Sequence, residues 1–570
     1  MTLAGTAQLL IFLALLLATV RPLGGYMQRV FAGDATLLSP LLRPVETALY
    51  RLAGVRPAEE QGWHRYALSF MVFHLPGMLA LYALLRLQGV LAFNPAGLGA
   101  VTPDLALNTA VSFATNTSWE SYSGETTLSY LSQMAGIAVQ SFLSAAAGIA
   151  VAMALVRGFA RRGSTTIGNF WADVTRATLY VLLPICVLAA LVLAWQGVPQ
   201  TLAGPATAVT LEGAKQTIAL GPVASQEAIK LLSGDGGGFF NAQSAHPFEN
   251  PTALTNLLGV LLMPLLGAAL TNSFGRMVGN EREGWALLIT MLVLLLAGAV
   301  ALHVGEAGGN PLLAAAGVDQ HLGNLEGKEV RFGVAGSVLF SELGTATSSG
   351  AVNAMHDSYL PLSGFVLLSN MMLDEVIIGG PGSGLFGILL FAVVAVFIGG
   401  LMIGRTPEYV GNKIEAREIK MAMLAILVVP AALLSLTALA VVIPAGLAGL
   451  GNAGPHGFVE VLYAYTSAAN TNGSSFAGLT TNTPFYNLTL ALAMAIGRFL
   501  VAIPVIALAG SLATKRRIAP SLGTLPTTGV VWIGLLLGVI IIVGGLTYFP
   551  ALALGPVAEH MAMLRGTLFQ

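Results

Sequence analysis

The chain has 570 residues, 55% of them hydrophobic and only 9% charged, with a formal net charge of −1. Soluble globular proteins carry about 25% charged residues, so this composition excludes a soluble protein and requires a polytopic membrane protein. Apolar runs take up so much of the length that no separate soluble catalytic domain fits.

A helix that crosses a bilayer needs about 20 apolar residues. Runs of that kind fall at 3–22, 66–89, 128–155, 177–196, 254–274, 284–303, 364–403 with an interruption, 420–444, 486–510 and 528–551. The sequence thus predicts an all-α fold with ten transmembrane helices. The first run has no Lys or Arg ahead of it, unlike a cleaved signal peptide, and reads as a retained helix. Cys186, the single cysteine, lies in the apolar run 182–187 without disulfide partner or metal-ligand neighbours, and is expected to pack. The eight histidines lack the paired spacing of a metal site; His246 and His356 are expected to order loops.

Between the long runs a short polar theme recurs four times. It reads Ala114-Thr115-Asn116-Thr117-Ser118-Trp119, Asp235-Gly236-Gly237-Gly238-Phe239-Phe240-Asn241, Thr347-Ser348-Ser349-Gly350-Ala351-Val352-Asn353 and Asn470-Thr471-Asn472-Gly473-Ser474-Ser475-Phe476. Such residues also dominate ordinary turns. Four copies, each between apolar segments, instead point to irregular backbone at membrane depth, which is tolerated where it lines a cavity or pore. The residues expected to line a cation filter are Thr115, Asn116, Thr117, Gly236, Gly237, Gly238, Ser348, Ser349, Gly350, Asn472 and Gly473. Glycine stands at the centre as Gly237, Gly350 and Gly473, whereas the first theme offers Thr117 or Asn116.

Ahead of the first theme a short pore helix is expected at 103–114, with Pro103 in its first turn and Asp104 suited to its dipole. The third and fourth are expected at 333–345 and 457–467. The order membrane helix, pore helix, filter segment, membrane helix repeats four times and predicts a pseudo-fourfold, channel-like arrangement with one extra helix at each end. Segment bounds follow: 1–62 for the N-terminal helix and connection, 63–160, 161–276, 277–417 and 418–513 for the repeats, and 514–570 for the C-terminal helix.

Of 26 Lys and Arg, nineteen fall in the connections between repeats and six on the side of the themes, with Arg498 alone inside a helix. Cytoplasmic loops collect such residues, so the themes and both termini are expected outside. Glu120, Glu125, Asp235, Glu249, Glu342 and Asp357 are expected to charge the outer mouth. The interrupted run contains Gly379-Gly380-Pro381-Gly382-Ser383-Gly384, which cannot continue a helix, with Asp374 and Glu375 before it and Arg405 after it. Ionisable residues at membrane depth mark functional positions. Asp374, Glu375, Arg405 and Arg498 are therefore expected to serve the ion path or its coupling, Arg498 by blocking straight-through flow or by pairing with a carboxylate such as Glu375.

The stretches 115–125, 236–251, 350–358 and 472–479 resemble the potassium-binding A subunit family of the bacterial Kdp potassium-transporting ATPases, and the resemblance covers essentially the whole chain. It implies a bacterial inner-membrane complex in which this subunit selects potassium, the ATP-hydrolysing P-type B subunit is the motor, and C and small F subunits accompany them. It also implies a tunnel from beneath the filter toward the B subunit. The expected partners are those subunits and the lipid bilayer, with no nucleic acid; the expected cargo is potassium, with no cofactor in the chain. No Asp-Lys-Thr-Gly phosphorylation motif and no Gly-x-x-x-x-Gly-Lys-[Ser/Thr] nucleotide loop occurs, so a non-catalytic transport subunit is expected. The competing reading is a self-sufficient single-chain potassium channel or symporter. Ser349 before Gly350 and Glu120 after Trp119 depart from the family's pattern in or beside the filter.

Overall fold

A computed structural model describes residues 3–373, 376–516 and 524–567. Among them ten helices are long and apolar enough to cross a membrane, at Gly5–Ala32, Trp63–Val90, Ser132–Ala160, Phe170–Trp195, Ala253–Met277, Glu281–Ala315, Ser383–Ile403, Ala416–Ala440, Pro484–Ala513 and Val530–Arg565. These are the ten expected spans. The interrupted one is resolved into Pro361–Met372 and Ser383–Ile403.

Burial divides the spans into two sets. In Ser132–Ala160, Ala253–Met277, Ser383–Ile403 and Pro484–Ala513 between 61% and 83% of the most apolar window is buried, against 22–44% in the other six. The buried set consists of the helix that follows each polar theme. Their sequences explain the position, because small residues let backbones approach. Cβ atoms added at Gly148 and Gly158 would lie 2.7 Å from the carbonyl oxygens of Pro381 and Ala509, the small-residue packing typical of membrane helices. The outer set exposes Leu, Val and Ile, as on Val530–Leu552, and suits lipid contact.

Four short buried helices stand between outer and inner helices: Pro103–Ala114, Val223–Ser233, Gly333–Ala346 and Gly454–Ala469. The first matches the expected range, the third is one residue longer, and the fourth extends further at both ends. Two short hairpins lie outside the spans, Ala206–Val209 with Lys215–Ile218 and Glu408–Tyr409 with Asn412–Lys413, both antiparallel.

One buried ion pair ties the first repeat to its neighbours. Arg157 grips both oxygens of Asp173, at 2.6 and 2.7 Å, and Tyr66 donates to the same carboxylate at 2.9 Å. Removing one partner of a buried pair leaves an uncompensated charge and costs about 3–5 kcal/mol. Asp173→Ala is therefore expected to lower the melting temperature of the detergent-purified protein by several degrees and to reduce its yield from membranes. A melting temperature equal to wild type would contradict this.

Candidate functional site

Each short helix ends in a segment whose amides turn back onto it. Thr117 and Ser118 N–H donate to the Ser112 carbonyl, Asp235 to Lys230, Gly350 to Gly344 and Asn472 to Ser467, at 2.8–3.3 Å. Across a trans peptide the preceding carbonyl points the opposite way. The carbonyls of Asn116, Thr117, Ser349 and Thr471 therefore face away from their own helices.

These segments touch one another in a closed cycle. Ser118 Oγ donates to Asp235 Oδ1 at 2.8 Å, joining the first wall to the second. Ser349 Oγ donates to the Asp235 carbonyl at 3.2 Å, and a Cβ on Gly236 would lie 3.2 Å from the Gly350 carbonyl oxygen, joining second to third. A Cβ on Gly350 would overlap the Asn472 carbonyl oxygen, and one on Gly473 the Thr117 carbonyl oxygen, closing third to fourth and fourth to first. Gly237, Gly350 and Gly473 have φ of 71°, 65° and 98°, and the first wall has Ser118 at 56° in the matching place. Each stands four residues beyond the last residue of its helix. Counting from helix ends thus puts Ser118 where residue type alone points to Thr117 or Asn116.

Several expected residues occupy other places. Asn116 turns its side chain off the ring: Nδ2 donates to the carbonyls of Ser233 and Gly234, at 3.3 and 2.9 Å, and Oδ1 accepts from Ser144 at 2.8 Å. Gly238 packs outward, where an added Cβ would lie 2.7 Å from a Glu249 oxygen. Of the carboxylates expected at the outer mouth, Glu120 and Glu125 are part-exposed beside the second wall, accepting the Gly238 and Asn241 amides at 3.3 and 3.0 Å, whereas the others are taken out of solvent or paired. Asp235, Glu249 and Glu342 are fully buried, Glu249 against Lys230 Nζ and the Phe240 amide, each at 2.8 Å, and Glu342 against Asn370 at 3.0 Å. Sequence shows the charge but not the partner that takes it out of solvent. Asp357 instead meets His456 at 3.2 Å, and the other imidazole nitrogen holds Glu559 at 2.7 Å. Asp357, His456 and Glu460 lie close enough to hold a metal ion, but both His456 nitrogens are engaged in this clamp between the fourth short helix and the C-terminal helix.

The two loop histidines have structural roles. His246 stacks on Phe240 with centroids 3.8 Å apart, and its Nδ1 accepts the Phe248 amide at 3.0 Å. Burial holds its pKa below the ordinary imidazole value, favouring the neutral ring that this acceptor role requires. His356 Nδ1 meets the Tyr463 hydroxyl at 3.0 Å.

The helix ends at Met372 and a new one begins at Ser383, so the break is wider than the glycine run; Asp374 and Glu375 lie outside the described residues. It is packed tightly. Cβ atoms added at Gly234 and Gly148 would lie 2.6 and 2.7 Å from Pro381 atoms, and one at Gly267 would lie 2.8 Å from the Ile378 carbonyl oxygen. Arg498 sits in a wide π turn, Ile496–Leu500, a helix irregularity frequent at functional sites. Its Nη2 donates to the Ser144 carbonyl at 2.5 Å. Beside it a cavity of about 60 Å³ is lined by Asn470, Thr471, Ser383, Phe386, Gly387 and Arg498, among others. Arg405 is not gathered here. It follows the far end of the 21-residue helix Ser383–Ile403, about 30 Å along at 1.5 Å per residue, and donates to the Thr524 carbonyl at 3.0 Å.

A family model described as "Potassium-transporting ATPase A subunit" matches residues 10–561. The chain belongs to this family. Curated relatives from Rhodopseudomonas palustris and Granulibacter bethesdensis, each named as a potassium-transporting ATPase potassium-binding subunit, are 61% and 62% identical over 569 residues, covering 100% of both chains in each case. Among solved structures, the potassium transporter TrkH from Vibrio parahaemolyticus aligns with a TM-score of 0.52 at 15% identity, over 88% of this chain and 97% of that one. At that identity the likeness speaks for the fold, which both chains share.

Proposed function

We propose that this family member takes potassium from outside the cell through a filter built by the four-walled ring and passes it sideways, beneath the filter, to an ATP-hydrolysing P-type B subunit. It contributes no catalysis of its own, and C and F subunits complete the complex in the bacterial inner membrane. The observation that carries this reading is ring closure: four buried segments, each with a left-handed residue at the same distance from its helix, contact one another in one cycle. Carbonyls turned from the helices toward such a ring can replace the hydration shell of a cation. The ring comprises Thr115, the Asn116 carbonyl, Thr117, Ser118, Gly236, Gly237, Ser348, Ser349, Gly350, the Thr471 carbonyl, Asn472 and Gly473, with the Asn116 side chain and Gly238 as outer supports.

The lateral step is supported by what lies below. The cavity at Asn470 and Thr471 is lined both by a fixed cation, Arg498, and by the second half of the interrupted helix. A buried positive charge opposes a cation moving straight on, and in this proposal Glu375 and Asp374 draw the ion toward the break. The four repeats within 63–513 form the ring, and the connections carrying most of the Arg and Lys face the cytoplasm with both termini outside.

Reconstitution tests the reading. Liposomes holding the complete complex are expected to accumulate potassium against a gradient when ATP is supplied, whereas those holding this chain alone are not. Concentrative uptake by the isolated chain would favour a self-sufficient transporter instead.

A further inference from the structure

The first wall differs from the others at the residue that closes the ring. Gly237, Gly350 and Gly473 adopt positive φ at no steric cost. Ser118 holds the same region at 56° with a Cβ that opposes it. Its hydroxyl is bonded to Asp235 of the second wall. The carboxylate is fully buried; Oδ1 accepts the Ser118 hydroxyl at 2.8 Å, Oδ2 accepts the Ser233 hydroxyl at 2.8 Å, and its backbone carbonyl accepts Ser349 Oγ at 3.2 Å. One residue thereby touches three walls. Its carboxylate is spent on hydroxyls, not turned to the ring as a ligand.

Resting on the filter reading above, we propose that Asp235 is a positioning residue for ion selection, whose carboxylate tethers Ser118 in the left-handed conformation that glycine supplies in the other three walls. With the tether cut, Ser118 relaxes toward the right-handed or extended regions, the Thr117 and Ser118 carbonyls rotate, and the first wall no longer matches its neighbours. A glycine at 118 removes the need for a tether, since it reaches positive φ unaided.

The test uses the complete complex, reading potassium-stimulated ATP hydrolysis for half-activating concentration and for the potassium-to-sodium ratio. Asp235→Ala is expected to raise the half-activating concentration at least about tenfold and to lower the ratio, and the double variant Asp235→Ala with Ser118→Gly is expected to recover both to within about threefold of wild type, because glycine needs no restraint at this φ. A merely structural role would change assembly but not the ion ratio, and would not be rescued by glycine. If Asp235→Ala fails to assemble, Ser118→Ala and Ser118→Gly are compared: alanine, with a Cβ and no tether, is expected to lose discrimination, and glycine to keep it. An unchanged ratio in Asp235→Ala, no rescue in the double variant, or equal behaviour of the two Ser118 variants would overturn the proposal. Gly350→Ala in the same assay keeps the outcomes apart. If it shifts potassium dependence while Asp235→Ala does not, the filter reading stands and the tether falls; if neither shifts, the filter reading itself fails.

Discussion

Gly350→Ala and Gly473→Ala are each expected to raise the potassium concentration for half-maximal ATP hydrolysis by the complete complex on the order of 100-fold. Two costs combine. A side chain at positive φ costs about 1–2 kcal/mol, and at both positions the new Cβ would overlap a carbonyl oxygen of the adjoining wall, an overpacking cost of about 1–3 kcal/mol. Each 1.4 kcal/mol is about tenfold in affinity, so the sum of about 2–5 kcal/mol brackets two decades if the strain falls on the ion-bound state. Gly545→Ala is the control, since nothing lies within 4 Å of a Cβ there. Wild-type potassium dependence in both filter variants, with assembly intact, would remove these residues from the filter.

Arg498→Ala is expected to uncouple ion movement from ATP hydrolysis. A guanidinium 4 Å from a cation repels it by about 4 kcal/mol at an effective dielectric of 20, and its loss also frees space beside the cavity at Asn470 and Thr471. Passive rubidium influx into vesicles holding the complex without ATP is expected to rise at least about tenfold, a fraction of what that barrier permits because solvent screens part of it. Arg498→Lys retains charge but not the planar fork, so it separates electrostatic blocking from the hydrogen bond to Ser144. Should Arg498→Ala assemble and show neither leak nor lowered coupling, the arginine is structural and the lateral route loses its main support. Neutralising Glu375 as Glu375→Gln is the companion measurement on the delivery side of the same route.

Spans are legible because bilayer thickness imposes a length, and the first short helix, 103–114, is legible to the residue because proline marks its first turn; the second, Val223–Ser233, is not among those the sequence predicts. Which spans form the centre is also written in the chain, in the Gly, Ala and Ser of Ser132–Ala160 against the Leu and Ile of Val530–Leu552, although only packing makes the contrast visible. Ser118 is not legible as the ring residue because its backbone angle is set by position relative to a helix end and not by residue type. The carboxylates misled for a related reason: a glutamate looks alike in sequence whether it meets water or Lys230. At the break, glycine and proline marked where a helix could not continue, but the chain leaves the helix already at Met372, where Leu373, Val376 and Ile377 give no compositional warning.

The cycle of contacts around the ring has a rotational sense. Second leans on third, third on fourth, and fourth on first through backbone brought within touching distance, while first returns to second through a side-chain bond. An assembly of this kind behaves like the blades of an iris, in which no single blade sets the aperture. On the proposed filter reading, ion size is measured by all four segments at once, and substitutions in two different walls should not simply add. The four repeats, although alike in plan, are no longer interchangeable parts: moving the wall that carries Ser118 into another quadrant would leave that serine without Asp235, and the aperture would not close.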